Sequence, residues 1–163
     1  MRYFNTAGPV RPEDHYTIDI LGRINLPEIL SLIEQKKYFI LHAPRQTGKT
    51  SSLLALRDYL NKEGKYHCVY VNVEDAQAAR ENIKNGIDSI IENLDIQINM
   101  NMQWFSSKFL EIKKEIENIT AESKLNKLLN RISLSLDKPL VLLIDEIDSL
   151  VGDTLISVLR QLR

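Results

Sequence analysis

The side chains whose types and spacing could do chemistry fall in two places. Residues Ala43-Pro44-Arg45-Gln46-Thr47-Gly48-Lys49-Thr50 fit the pattern G-x-x-x-x-G-K-[ST], with alanine at the first glycine. Gly48 lets the backbone wrap close to an anion, with successive N–H groups pointing inward at the positive end of the helix that begins there. Lys49 supplies a flexible point charge for β and γ phosphates, and the Thr50 hydroxyl is a ligand for Mg²⁺. Pro44, Arg45, Gln46, Thr47 and Ser51 complete the expected nucleotide-binding stretch. At Ala43 a methyl group is the smallest side chain that could replace glycine, and it is expected to be tolerated. The competing reading is a plain glycine-containing turn with an exposed lysine. The apolar strand expected before the match and the apolar-faced helix after it favour the phosphate site.

The second place is Asp145-Glu146, directly after five apolar residues. Beside a phosphate loop, Asp145 would hold Mg²⁺ through water, and Glu146 would act catalytically with Lys49 by polarising the water that attacks the γ phosphate. Taken alone, the pair could equally be a helix N-cap followed by a solvated carboxylate. Adenine is favoured over guanine as the base. Asn61-Lys62-Glu63-Gly64 and Asn126-Lys127-Leu128-Leu129 lack the aspartate of an N-K-x-D element, and Asp145 does not open a D-x-x-G switch.

These residues need elements to position them. Tyr38 to His42 reads as a buried strand running into the loop, a helix follows from about Lys49 to Glu63, and Gly64 stops it where the chain must turn left-handed. Tyr66 to Val73 is rich in β-branched and aromatic residues and reads as a second strand, which makes a βαβ unit of a parallel sheet. Three apolar faces then recur at helical spacing: Ile83, Ile87, Ile90, Ile91 and Leu94; Phe105, Phe109, Ile112, Ile116 and Ile119; Leu125, Leu128, Leu129, Ile132 and Leu136. The mostly polar run from Gln97 to Gln103 is expected to be a loop between two of these helices. Leu140 to Ile144 is a continuous apolar run, expected to be a strand buried on both faces, and Asp153 is expected to cap a last helix. Upstream, Met1 to Arg23 has little periodicity, and Asn25 with Glu28 makes a capping-box-like start to a short helix.

The totals exclude little and permit one core. The 163 residues are 44% hydrophobic and 26% charged, as in ordinary globular chains. With 21 basic and 22 acidic residues the net charge is −1, which gives no electrostatic reason to expect nucleic acid or an anionic membrane as partner. Cys68, the only cysteine, excludes an intrachain disulfide and is expected to be a small buried strand residue. The three histidines have no metal-ligand spacing, so no zinc is assigned. With no signal peptide and no membrane-length apolar stretch, a cytoplasmic location is expected.

With both motifs in place, the chain resembles the AAA-like P-loop ATPases of the ASCE division, near the bacterial and archaeal origin-recognition and STAND-type ATPases, over roughly residues 21–163. Gly22-Arg23 ahead of an apolar-faced helix looks like the family's G-R-x box. Lys49 and Thr50 fall on its Walker A lysine and hydroxyl, and Asp145-Glu146-Ile147-Asp148 matches the D-E-I-D form of Walker B. The resemblance implies an adenine pocket near Gly22 and Arg23, with Tyr16 or Ile18 beside it. The family's sheet has more parallel strands, and its sensor residues and arginine finger lie further downstream. The expectation is therefore the N-terminal part of a longer protein.

The expected fold is α/β, a P-loop NTPase with a parallel sheet flanked by helices, incomplete at about three strands, with a helical insertion before the Walker B strand. Residues 1–37 would be an irregular segment plus a short helix beside the nucleotide site, and 38–163 a partial ATPase core. The expected function is ATP binding and Mg²⁺-dependent hydrolysis. Alternatives are a nucleotide-dependent switch and a non-catalytic interaction module, with a protein partner or a second copy of the chain as the further partner. The insertion between Asp75 and Asp137 could carry partner specificity, although its stripes favour plain packing.

Overall fold

In the computed structural model the described residues are Phe4, Arg11, 13–16, 19–44 and 46–163, and they form two compact units, 1–63 and 64–163. Among them no helix is long and apolar enough to cross a membrane.

The first unit is built around two helices. Helix α1, Leu26–Glu34, starts where Asn25 Oδ1 accepts from the Glu28 amide, as the spacing of these residues implies, while the Glu28 carboxylate accepts from Asn25 Nδ2 (2.8 Å), a side-chain bond in place of the backbone one of a full capping box. It buries Ile29 and Ile33. It ends in a left-handed Lys36 (φ 54°), with the Lys37 amide reaching back to Leu32 O and the Lys36 amide to Ile33 O, which satisfies the last carbonyls. Helix α2, Lys49–Glu63, buries Leu53, Leu56 and Leu60 on one side, and Gly64 (φ 80°) follows it as expected.

Between these helices the expected strand is not formed. Residues 38–44 alternate exposed and half-buried, the period of an extended chain, with Phe39, Leu41 and Ala43 on the more covered side. Tyr38 and Ile40 remain 78% and 86% exposed, so the segment is not the buried strand that its composition suggests. It is not part of the sheet formed by the described residues: apolar composition gives a segment its preference for extension, but only a neighbouring strand makes it part of a sheet.

In the second unit, β1 (His67–Asn72) and β2 (Leu140–Asp145) pair in parallel, Cys68 opposite Val141 and Asn72 opposite Asp145. Among the described residues the sheet thus has two strands rather than about three. A parallel pair needs a long crossover, and here it is α3 (Ile83–Asn101), α4 (Ser106–Glu115) and α5 (Ala121–Ser135). Helix α3 runs through the stretch expected to be a loop: Ile98 is buried in the core, and the connection to α4 is confined to residues around Gln103–Phe105. Strand β1 is buried from Cys68 to Val71, whereas β2 is buried only at Leu143 and Asp145 and half-buried elsewhere, so the continuous apolar run overstated its enclosure.

The crossover helices are the core of this unit. Ile87, Leu94 and Ile98 of α3, Phe109 and Ile112 of α4, and Leu125, Leu128 and Ile132 of α5 are almost wholly buried together with Val69 and Val71 of β1. Each such side chain contributes about 1.5–3 kcal/mol by leaving water.

Helix α6, Gly152–Gln161, closes the unit. Its start is not capped by Asp153, whose own amide donates to Glu81 Oε2 (3.1 Å); an acid from the β1–α3 connection takes that role. Its end is tied to α5 by Gln161, which is buried. Gln161 Oε1 accepts from the Leu125 and Asn126 amides (2.8 and 3.3 Å), and its Nε2 donates to Ala121 O (2.9 Å). The buried amide is thus satisfied by the first two turns of α5 and by Ser157 Oγ of its own helix (2.9 Å).

Candidate nucleotide-phosphate site

The loop before α2 closes on itself. Gln46 (φ 59°) and Gly48 (φ 85°) both take left-handed backbone, which bends the chain sharply enough for Lys49 Nζ to donate back to Ala43 O (3.3 Å). The Thr47 hydroxyl donates to Pro44 O (2.7 Å), bracing the loop from inside, and the Ser52 amide bonds to Gly48 O (2.9 Å) as the helix begins. Lys49 and Thr50 are half-buried and Ser51 is buried in the first turn of α2, where an α-helix has amides without intrahelical acceptors and a partial positive charge. Six of the expected phosphate residues, Ala43, Pro44, Gln46, Thr47, Gly48 and Lys49, are therefore drawn into one turn around the start of a helix, with Thr50 and Ser51 following. Arg45 lies outside the described residues.

Of the residues expected near the base, Arg23 stands on this loop. It ends the short 3-10 turn Leu21–Arg23, and its Nη2 donates to Thr47 O (3.1 Å). The backbone angle demands glycine at position 48, and the Arg23 guanidinium lies against it, its Nη1 3.4 Å from where a Cβ would be, an ordinary contact with the end of a flexible side chain. Gly22 sits where a Cβ would meet Asp19 Oδ2 at 2.9 Å, in a turn that Asp19 Oδ1 braces by accepting from the Leu21 amide. Tyr16 faces Phe4, ring centroids 5.2 Å apart, and Ile18 lies outside the described residues.

The acidic pair belongs to the second unit. Asp145 ends β2 and is 4% exposed; the Tyr70 hydroxyl donates to its Oδ2 (3.0 Å), and its Oδ1 accepts from the Glu146 amide (3.1 Å). Glu146 is left-handed (φ 58°, ψ 33°), a conformation that costs a side-chain-bearing residue about 1–2 kcal/mol. It breaks the alternation of the strand and leads into the 3-10 turn Ile147–Ser149, held by the Ser149 amide on Glu146 O (2.9 Å). Burial, and after it the charge of Asp145, pushes the Tyr70 phenol above its ordinary value, so Tyr70 remains a hydrogen-bond donor at any ordinary pH.

Tyr70 is the site residue that sequence reasoning missed. Its aromatic ring reads simply as a strand former, and the register that pairs Asn72 with Asp145 is what sets Tyr70 diagonally across from the acid on the same sheet face.

No group of three or more His, Cys, Asp or Glu side chains gathers into a metal cluster among the described residues. Mg²⁺ beside phosphates commonly uses one or two protein oxygens and takes the rest from phosphate and water, so a hydroxyl and a carboxylate are a suitable donor set in kind.

A lysine-bearing loop closed over a helix start, and a parallel strand ending in a buried aspartate, define an α/β protein with the motifs of nucleotide binding. The chain belongs to the family described as predicted AAA-ATPase, whose model matches residues 27–161, from α1 through the loop and the acidic pair to the end of α6. No curated protein and no solved structure gives a significant match.

Proposed function

We propose that the chain binds ATP with Mg²⁺ and hydrolyses it. The observation that carries this reading is the loop geometry: glycine in left-handed backbone at the helix start, with Lys49 folded back on Ala43 O. A lysine held by a neutral carbonyl can exchange that contact for an ionised phosphate oxygen, a stronger acceptor. The amides that open α2 would bind the phosphates, and Thr50 and Asp145 would hold Mg²⁺, which when bound offsets phosphate charge. Glu146 would polarise the attacking water. Within the family, Gly22-Arg23 and Asp145-Glu146-Ile147-Asp148 support a place near the origin-recognition and STAND-type ATPases of the ASCE division.

The test is a titration of a fluorescent ATP analogue with Mg²⁺ against the protein and its Lys49→Ala and Glu146→Gln variants. Lys49→Ala should weaken binding at least tenfold, the order expected for losing a charge-assisted contact. Glu146→Gln should keep binding and lose turnover. Equal affinity of the protein and the Lys49→Ala variant would remove the phosphate-loop assignment, and unchanged turnover in Glu146→Gln would remove the role given to that acid.

A further inference from the structure

Two cations meet at the phosphate loop, and main-chain oxygen holds both. Lys49 Nζ donates to Ala43 O and Arg23 Nη2 to Thr47 O, at 3.3 and 3.1 Å. Among the described residues neither makes an ion pair, although six other pairs bring Lys, Arg or His side chains onto carboxylates. A guanidinium carries five N–H donors in a planar fork suited to phosphate, and a carbonyl occupies only part of that capacity. The fork also lies close over Gly48, with Nη1 3.4 Å and Cζ 3.9 Å from where a Cβ would be. It therefore stands at the residue whose backbone turns the loop towards the helix start.

We propose that Arg23 is a second phosphate ligand, which exchanges Thr47 O for oxygen of a bound polyphosphate, so that the site recognises a di- or triphosphate chain with two cations. This rests on the reading that the loop binds nucleotide. It goes beyond the family match, which begins at residue 27, and it differs from the base-lining role that the resemblance implies for the Gly22-Arg23 pair. The turn supports the assignment: the Asp19 carboxylate spends one oxygen on the Leu21 amide and makes no ion pair with Arg23 among the described residues. The guanidinium thus keeps its charge for the loop.

The experiment compares the full chain with its Arg23→Gln and Arg23→Lys variants, using competition against a fluorescent ATP analogue by ATP and by inorganic tripolyphosphate, Mg²⁺ being in excess throughout. Tripolyphosphate has phosphates and no base. Arg23→Gln should weaken both competitors by a similar factor, about tenfold or more, as expected for a charge-assisted contact to phosphate. Arg23→Lys, which keeps the charge and loses the fork, should fall between the Gln variant and the native protein for both. A loss for ATP with none for tripolyphosphate would assign Arg23 to the base and overturn the proposal, as would undiminished binding of both by the Gln variant. A native protein that binds neither the analogue nor tripolyphosphate would instead remove the phosphate-loop reading itself, and this proposal with it.

Discussion

Asp145 is a buried carboxylate whose environment is built from its neighbours on two strands. The Tyr70 hydroxyl and the Glu146 amide both donate to it, which supplies part of what a buried charge needs to be tolerated. Tyr70→Phe removes one donor without changing the ring that packs in β1. Unfolding in urea should show a loss of about 2 kcal/mol, the scale of a hydrogen bond to a charged acceptor. A variant as stable as the native protein would mean that the phenol contributes nothing to holding the acid. The turn into α2 was legible because the spacing of Gly48 and Lys49 calls for a left-handed glycine just before a helix start. Tyr70 was not, because its task appears only once Asn72 is paired with Asp145.

The helices were the most legible elements, since their apolar faces repeat over many residues: α2 begins and ends at Lys49 and Glu63 as expected, and the three stripes beyond β1 became α3, α4 with its flanking turns, and α5. The failures share a physical cause. Strand formation at Tyr38 to His42, the enclosure of β2 and the cap of α6 all depend on what stands opposite, and a local pattern does not contain it. The polar run after Gln97 misled for a related reason, because Ile98 and Met102 within it are buried in the core and carry the apolar face of α3 to its end. Close approach between α3 and α6 was equally invisible. A Cβ at Gly86 would come within 2.4 Å of Thr154 Cγ2, and Thr154 is fully buried. Gly86→Ala should therefore destabilise the protein by up to about 2 kcal/mol, once overpacking of about 1–3 kcal/mol is set against a gain of about 1 kcal/mol in helix propensity. Thermal unfolding checks the sign; a raised midpoint would show that α6 yields without strain.

At the scale of the whole molecule, the expected catalytic set is divided between two compact units, with the phosphate loop in residues 1–63 and the acidic pair in 64–163. The larger core belongs to the second unit, where α3, α4 and α5 pack against β1, so the helical crossover read as an insertion is what stabilises the strand bearing Tyr70. Plain packing accounts for its stripes, as the apolar periodicity favours. The nucleotide binding proposed above would be a property of the first unit's loop, and amide hydrogen exchange reads that loop directly. Addition of ATP with Mg²⁺ should slow exchange at the amides of Thr47 to Ser51, and Lys49→Ala should remove most of that protection. Exchange in this stretch that is the same with and without saturating nucleotide would contradict the assignment of Ala43 to Thr50 as the phosphate site.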